Sequence, residues 1–130
     1  SHNYHSLGIK KIRYYYELLV NNLKNVEGIK LLWQNIPNGV IPFCLSILID
    51  SNRDNILYDL KEKKYAIMAW PTFSGKIIDN VEQYPEIEII GKNILQIMIP
   101  THRVFHKTAD DYFGNLIFDF IKCNKRYNAK

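Results

Sequence analysis

The sequence predicts an α/β chain of the α+β kind. The expected form is a two-layer sandwich, with a mainly antiparallel sheet of three to five strands and helices on one face. Three observations carry this. The elements follow the order α-β-β-α-β-loop-β-α. Two apolar runs, residues 43–49 and 94–99, have the length of buried strands. Amphipathic helical patterns open and close the chain, with a shorter one between them.

In the first helix Ile9, Ile12, Tyr16, Leu19, Leu23 and Val26 recur at steps of three and four and form one stripe. Gly28 supplies a stop after Glu27, and Tyr14 and Tyr15 lie off the stripe, toward a second surface. A strand is expected over residues 29–33, followed by a turn at Pro37-Asn38-Gly39. FCLSILI, residues 43–49, is almost continuously apolar, as a central strand covered on both faces would be. Ser51 with Asp54 reads as a capping box for a helix whose inner face is Ile56, Leu57 and Leu60. Its basic end, residues 61–64, suits the negative pole of the helix dipole.

Residues 65–70 form the third strand, closed by Pro71. Residues 72–85 read as a long loop with a helical turn near 78–83, and residues 86–90 fit either a short helix or a strand. The last strand covers residues 94–99. Thr108, with Asp111 three residues on, caps a final helix with inner residues Phe113, Leu116, Ile117, Phe120 and Ile121. The strands at 43–49 and 94–99 lack in/out alternation, so the sheet face away from the helices is expected to be covered in part by another domain or subunit.

One hundred and thirty residues fit one domain, and an apolar fraction of 47% with 23% charged residues is globular rather than disordered. No apolar run approaches a bilayer span and the start carries no signal-peptide pattern, so no membrane partner and a cytoplasmic location are expected. Cys44 and Cys123 are too few for a disulfide scaffold, and Cys44 reads as a small core residue. The net charge of +4 is dispersed over helix faces and the C-terminal tail, with acids among the bases on the helices. That pattern is a solvated surface, and it predicts no nucleic-acid partner.

Catalytic signatures are few. Ser74-Gly75-Lys76 lacks the upstream glycine of a phosphate-binding loop, and His2, His5, His102 and His106 form no metal set. Three features remain: Trp70-Pro71 at a strand end, Thr101-His102-Arg103 after the last strand, and the loop from Thr72 to Pro85. Tryptophan at such an end anchors a core edge or walls a pocket. Arginine and histidine at such a joint hold a carboxylate or phosphate, or lie exposed.

The arrangement as a whole resembles a known family. NVEGIKLL, PNGVIPFCLSILID, SNRDNILYDLKEKKYAIMAWPTF, the pair Tyr84-Pro85 and NILQIMIPTHRVF follow one another as in the C-terminal small domain of fold-type I pyridoxal-phosphate enzymes. The match is to the DegT/DnrJ/EryC1/StrS aminotransferase group. Gly28-Ile29, Arg53-Asp54, Trp70-Pro71 and Ile99-Pro100-Thr101-His102 are the matching joints, and together they span nearly the whole chain.

The resemblance implies an aminotransferase small domain that helps to close an active site and does no catalysis alone. The Schiff-base lysine, the aspartate facing the pyridine nitrogen and most phosphate contacts would lie on a large domain upstream. Thr72-Phe73-Ser74-Gly75-Lys76 is superficially similar to the family's lysine region, but its place in the order belongs to the small domain. The resemblance further implies pyridoxal phosphate in the parent enzyme, a homodimer, an amino donor and a sugar or small-molecule acceptor. Gln96, His102 and Arg103 become the substrate-side candidates, with Trp70 as a wall. A second reading of the same residues is a stand-alone α/β module that binds a ligand or protein without catalysis.

Overall fold

The computed structural model describes residues 8–69, 91–99 and 108–128. The strand readings at Trp70, the loop and short element at 72–90, and the joint at 100–107 lie outside the described residues. Helix α1 covers Ile9–Leu23, strand β1 Ile29–Leu31, β2 Cys44–Ile49, helix α2 Arg53–Glu62, β3 Ile67–Ala69, β4 Ile94–Met98 and helix α3 Ala109–Asn128. Residues 91–93 are a helical turn leading into β4.

The four strands form one antiparallel sheet in the order β1-β2-β4-β3. The register is in phase across it: Leu31 faces Ile47, Ile47 faces Leu95, and Leu95 faces Ala69. Because side chains alternate along a strand, Leu31, Leu45, Ile47, Ile49, Ile67, Leu95 and Ile97 therefore project to one face. All seven are buried in a single cluster with the inner residues of all three helices. The result is the two-layer α+β sandwich that the sequence predicts, with the helices of the described residues on one face.

Each helix contributes by its own spacing. In α1, Ile12, Tyr16, Leu19 and Leu23 are buried as the stripe requires, whereas Ile9 is exposed at the first turn and Val26 lies past the end. Tyr15 is the second-surface residue of the pair: its ring stacks on Phe113 of α3 at 4.5 Å, and its hydroxyl donates to Asp110 at 2.8 Å. Burial and that carboxylate raise the Tyr15 hydroxyl pKa to about 12. The Tyr16 hydroxyl, buried and donating to the Trp33 carbonyl, is likewise raised to about 12. β1 stops at Leu31, and Trp33 stands exposed beyond it.

The turn between β1 and β2 follows its residues. Gly39 has φ +86° and the Val40 amide donates to the Pro37 carbonyl at 3.2 Å, which puts glycine where a type II turn needs positive φ. Arg13 fixes this loop to α1, donating to the carbonyls of Ile36, Pro37 and Val40 at 3.1, 3.2 and 2.6 Å.

Two helix ends depart from expectation. Ser51 does not cap α2. Its hydroxyl donates to the Asn128 side chain at 2.6 Å, and the cap position is Asn52, in the left-handed region with φ 64°. Asparagine tolerates that conformation, and its amide is held by the Tyr127 carbonyl and Asn128. At the other end the Tyr65 amide donates to the Leu60 carbonyl and the Lys64 amide to Lys61, a Schellman closure with Lys64 rather than glycine at φ 71°. The cap of α3 matches the sequence reading: the Asp111 amide donates to Thr108 Oγ1 at 3.1 Å. On that helix Phe113, Leu116, Ile117 and Phe120 are inward, but Ile121 is exposed, and Cys123 and Asn124 take the inner positions instead.

These assignments separate two hydroxyls that look alike in sequence. Thr108→Ala is expected to cost about 1 kcal/mol in chemical denaturation, as an N-cap loss does, and Ser51→Ala well under that. Equal costs would contradict the reassigned cap.

A pH dependence follows from Tyr15 and Tyr16. Each holds its proton to about 12 in the folded state against 10.0 in the free side chain. Above pH 10 the unfolded chain therefore releases protons that the folded chain keeps, so the contribution of these two hydroxyls is constant below that point and falls toward pH 12. Melting temperatures of the native chain and of Tyr16→Phe, measured across this window, should converge as pH rises.

Candidate functional site

The sheet face opposite the helices carries Lys30, Cys44, Ser46, Leu48, Met68, Ile94, Gln96 and Met98 by the same alternation. Its burial explains why β2 lacks clean alternation in the sequence. Ser46 is 9% exposed and Ile94 is fully buried, although Ile94 does not belong to the main core cluster. Cys44, Leu48, Gln96 and Met98 are half-buried and Met68 is exposed. Cys44 is thus not the core residue that the sequence suggests: it sits on the second face, at the start of β2.

Gln96 lies at the middle of this face. It pairs across the sheet with Ser46 on one side and Met68 on the other. Its Nε2 donates to Ser46 Oγ at 3.3 Å and approaches Cys44 Sγ at 3.8 Å. The amide is therefore oriented by β2 while its neighbours Leu48, Met68 and Met98 are apolar. A glutamine so held offers neutral hydrogen bonding on a greasy surface, not charge.

The other three candidates, Trp70, His102 and Arg103, lie outside the described residues. The register nevertheless fixes the strand ends from which the chain departs toward them. Ala69, the last residue of β3, pairs with Leu95, whereas the Met98 amide donates to the Ala66 carbonyl at 2.9 Å. Ala69 and Ile99 thus stand at opposite ends of the β3–β4 pair, with Gln96 between them. The sequence reading sets Trp70 at the end of the third strand and Arg103 after the last one, and the register shows that those strand ends point in opposite directions.

Sequence reasoning also missed a polar seam between α2 and α3. Asp59 Oδ2 accepts from the Tyr127 hydroxyl at 2.7 Å, from Arg126 Nη1 at 3.3 Å and from the Cys123 thiol at 3.6 Å. Asp119 accepts from the Tyr65 hydroxyl and pairs with Lys63 at 3.4 Å. No local motif signals these contacts, because every partner of Asp59 is more than sixty residues away. The chemistry is structural. Burial, and then the nearby Asp59 carboxylate, push the Cys123 thiol up to about 11, which leaves little thiolate at neutral pH. Among the described residues no group of three or more His, Cys, Asp or Glu is placed to hold a metal ion, and no helix is long and apolar enough to cross a membrane.

The chain matches no protein-family model and no curated protein.

The two thiols differ in a way that mass spectrometry can read. Cys44, half-buried on the open side of β2, should be alkylated by iodoacetamide at pH 8 well before Cys123. Comparable rates would mean that the α2–α3 seam opens freely in the folded protein.

Proposed function

We propose that this chain is the small C-terminal domain of a pyridoxal-phosphate-dependent, DegT-type aminotransferase, helping to close the active site without being catalytic alone. The observation that carries this reading is the second sheet face. Among the described residues α1, α2 and α3 pack on one side of the sheet, and the other side keeps a half-buried, largely apolar face with an oriented amide at its centre. Such a face suits contact with a further domain and with a bound substrate. The order of elements, with β1 after the Gly28 turn and α2 opening at Arg53-Asp54, agrees with the resemblance noted in the sequence.

In this reading the chain's own residues bind and orient rather than react. Gln96, kept in place by Ser46, hydrogen-bonds an uncharged part of the substrate, while Leu48 and Met98 exclude water beside it. His102 and Arg103 would approach the substrate from the joint after β4, and Trp70 would wall the pocket. The lysine that forms the imine and the groups that hold the cofactor's phosphate belong to the large domain, so the parent supplies the electron-sink chemistry. A homodimer and a sugar or small-molecule amino acceptor complete the proposal, in a cytoplasmic enzyme.

A second reading, a stand-alone module that binds a ligand or protein, is favoured by one observation. The helical layer and the sheet close a continuous core without help, from Ile12 and Leu19 through Ile47 and Leu95 to Phe113 and Phe120.

The mass of the native polypeptide in its source cells, detected with an antibody to this chain, separates the two. A product about three times larger, the size of several domains, is expected for the enzyme, and that product should bind pyridoxal phosphate as a lysine imine visible in its absorbance. A native chain of 130 residues would overturn the enzyme reading and leave the binding module.

A further inference from the structure

We infer that Arg53 is a latch on the first residues of β4, and that this end of the strand opens locally when the latch is released, without unfolding the helical layer. Three observations meet here. The Arg53 guanidinium is almost buried, its side chain 11% exposed, and its Nη1 donates to the carbonyls of Gly91 at 3.0 Å and Ile94 at 2.6 Å. Its Nε is occupied by Asp54 Oδ1 at 2.8 Å, which holds the planar group in place from the exposed side.

The second observation is where the contact falls. Ile94 opens β4 and pairs with Leu48 of β2, and Gly91 begins the helical turn that leads into it. Arg53 thus bonds both the turn and the first residue of the strand, across the joint between them. The third is that Ile94, although fully buried, is not part of the core cluster formed by the helices and the inner sheet face. Displacing residues 91–94 therefore leaves the core residues from Leu95 onward in place, which is the condition for a local opening.

Lysine is no substitute for the latch. A guanidinium is a flat fork that bridges several acceptors at once, whereas an ammonium on a flexible stem is a point charge. Gln96 lies two residues beyond Ile94 on the same strand, so the latch also sets how firmly that amide is presented. This last consequence rests on the reading of Gln96 given above; the latch itself does not.

Hydrogen exchange of the native polypeptide tests it, with Arg53→Lys beside Asp54→Asn. Loss of charge-assisted bonds to backbone carbonyls should speed amide exchange in residues 91–94 by about tenfold or more in Arg53→Lys. Amides within α1 and α3 should keep their protection, and Asp54→Asn should change the region far less. Unchanged exchange in residues 91–94 would overturn the latch. So would an equal rise in α1 and α3, which would show a general loss of stability instead. The cofactor measurement on the native product is independent of this readout, so failure of the enzyme reading and failure of the latch are seen separately.

Discussion

The pairing of β2 with β4 is the constraint on which the rest of the structure depends. Five residue pairs, from Cys44 with Met98 to Leu48 with Ile94, fix the register of the two central strands. A slip of one residue would turn β4 over against β2, sending Leu95 and Ile97 away from the helices and bringing Gln96 among Leu19, Phe113 and Phe120. The apolar cost of that exchange is large and the buried amide would lack partners, so the register is strongly specified. β1 and β3 then take their places on the outer sides of this pair, and the three helices close over the face it presents.

Much of this was legible in the sequence because it follows from local chemistry. The central strands are long apolar runs, the Asn-Gly turn declares its positive φ, and Thr108 caps with the spacing that a capping threonine needs. What the sequence hid falls into two kinds. One is backbone conformation carried by unusual residues: Asn52 and Lys64 occupy the left-handed region that glycine normally signals, so the start and stop of α2 were misplaced or silent. The other is contact across long separations. Ser51 looks like a cap until Asn128 is seen beside it, Ile121 looks inward until Asn124 is found bonding the Glu27 carbonyl, and nothing near Asp59 announces Cys123 and Tyr127.

The candidate site divides in the same way. That the last strand matters was readable from its apolar run and the joint after it. That Gln96 is oriented by Ser46 was not, because cross-strand partners fifty residues apart have no signature in one sequence. Among the described residues the polar groups of the helical layer satisfy one another, and those of the second sheet face are fewer, with Gln96 held by Ser46 and Cys44. This contrast, rather than any catalytic motif, sets the sheet face apart from the seam between α2 and α3.

The strand order has a consequence for how the chain is made. β4 lies between β2 and β3 but is the last strand to leave the ribosome. Among the described strands, until residues 94–98 emerge β2 can pair only with β1, and β3 lacks β4, its neighbour in the finished sheet. The nascent chain therefore carries the open side of an apolar strand through the synthesis of more than forty residues, a template for pairing with another chain. The short length of β1 and β3 limits the outer edges of the described sheet, but the longer side of β2 stays exposed until β4 fills it.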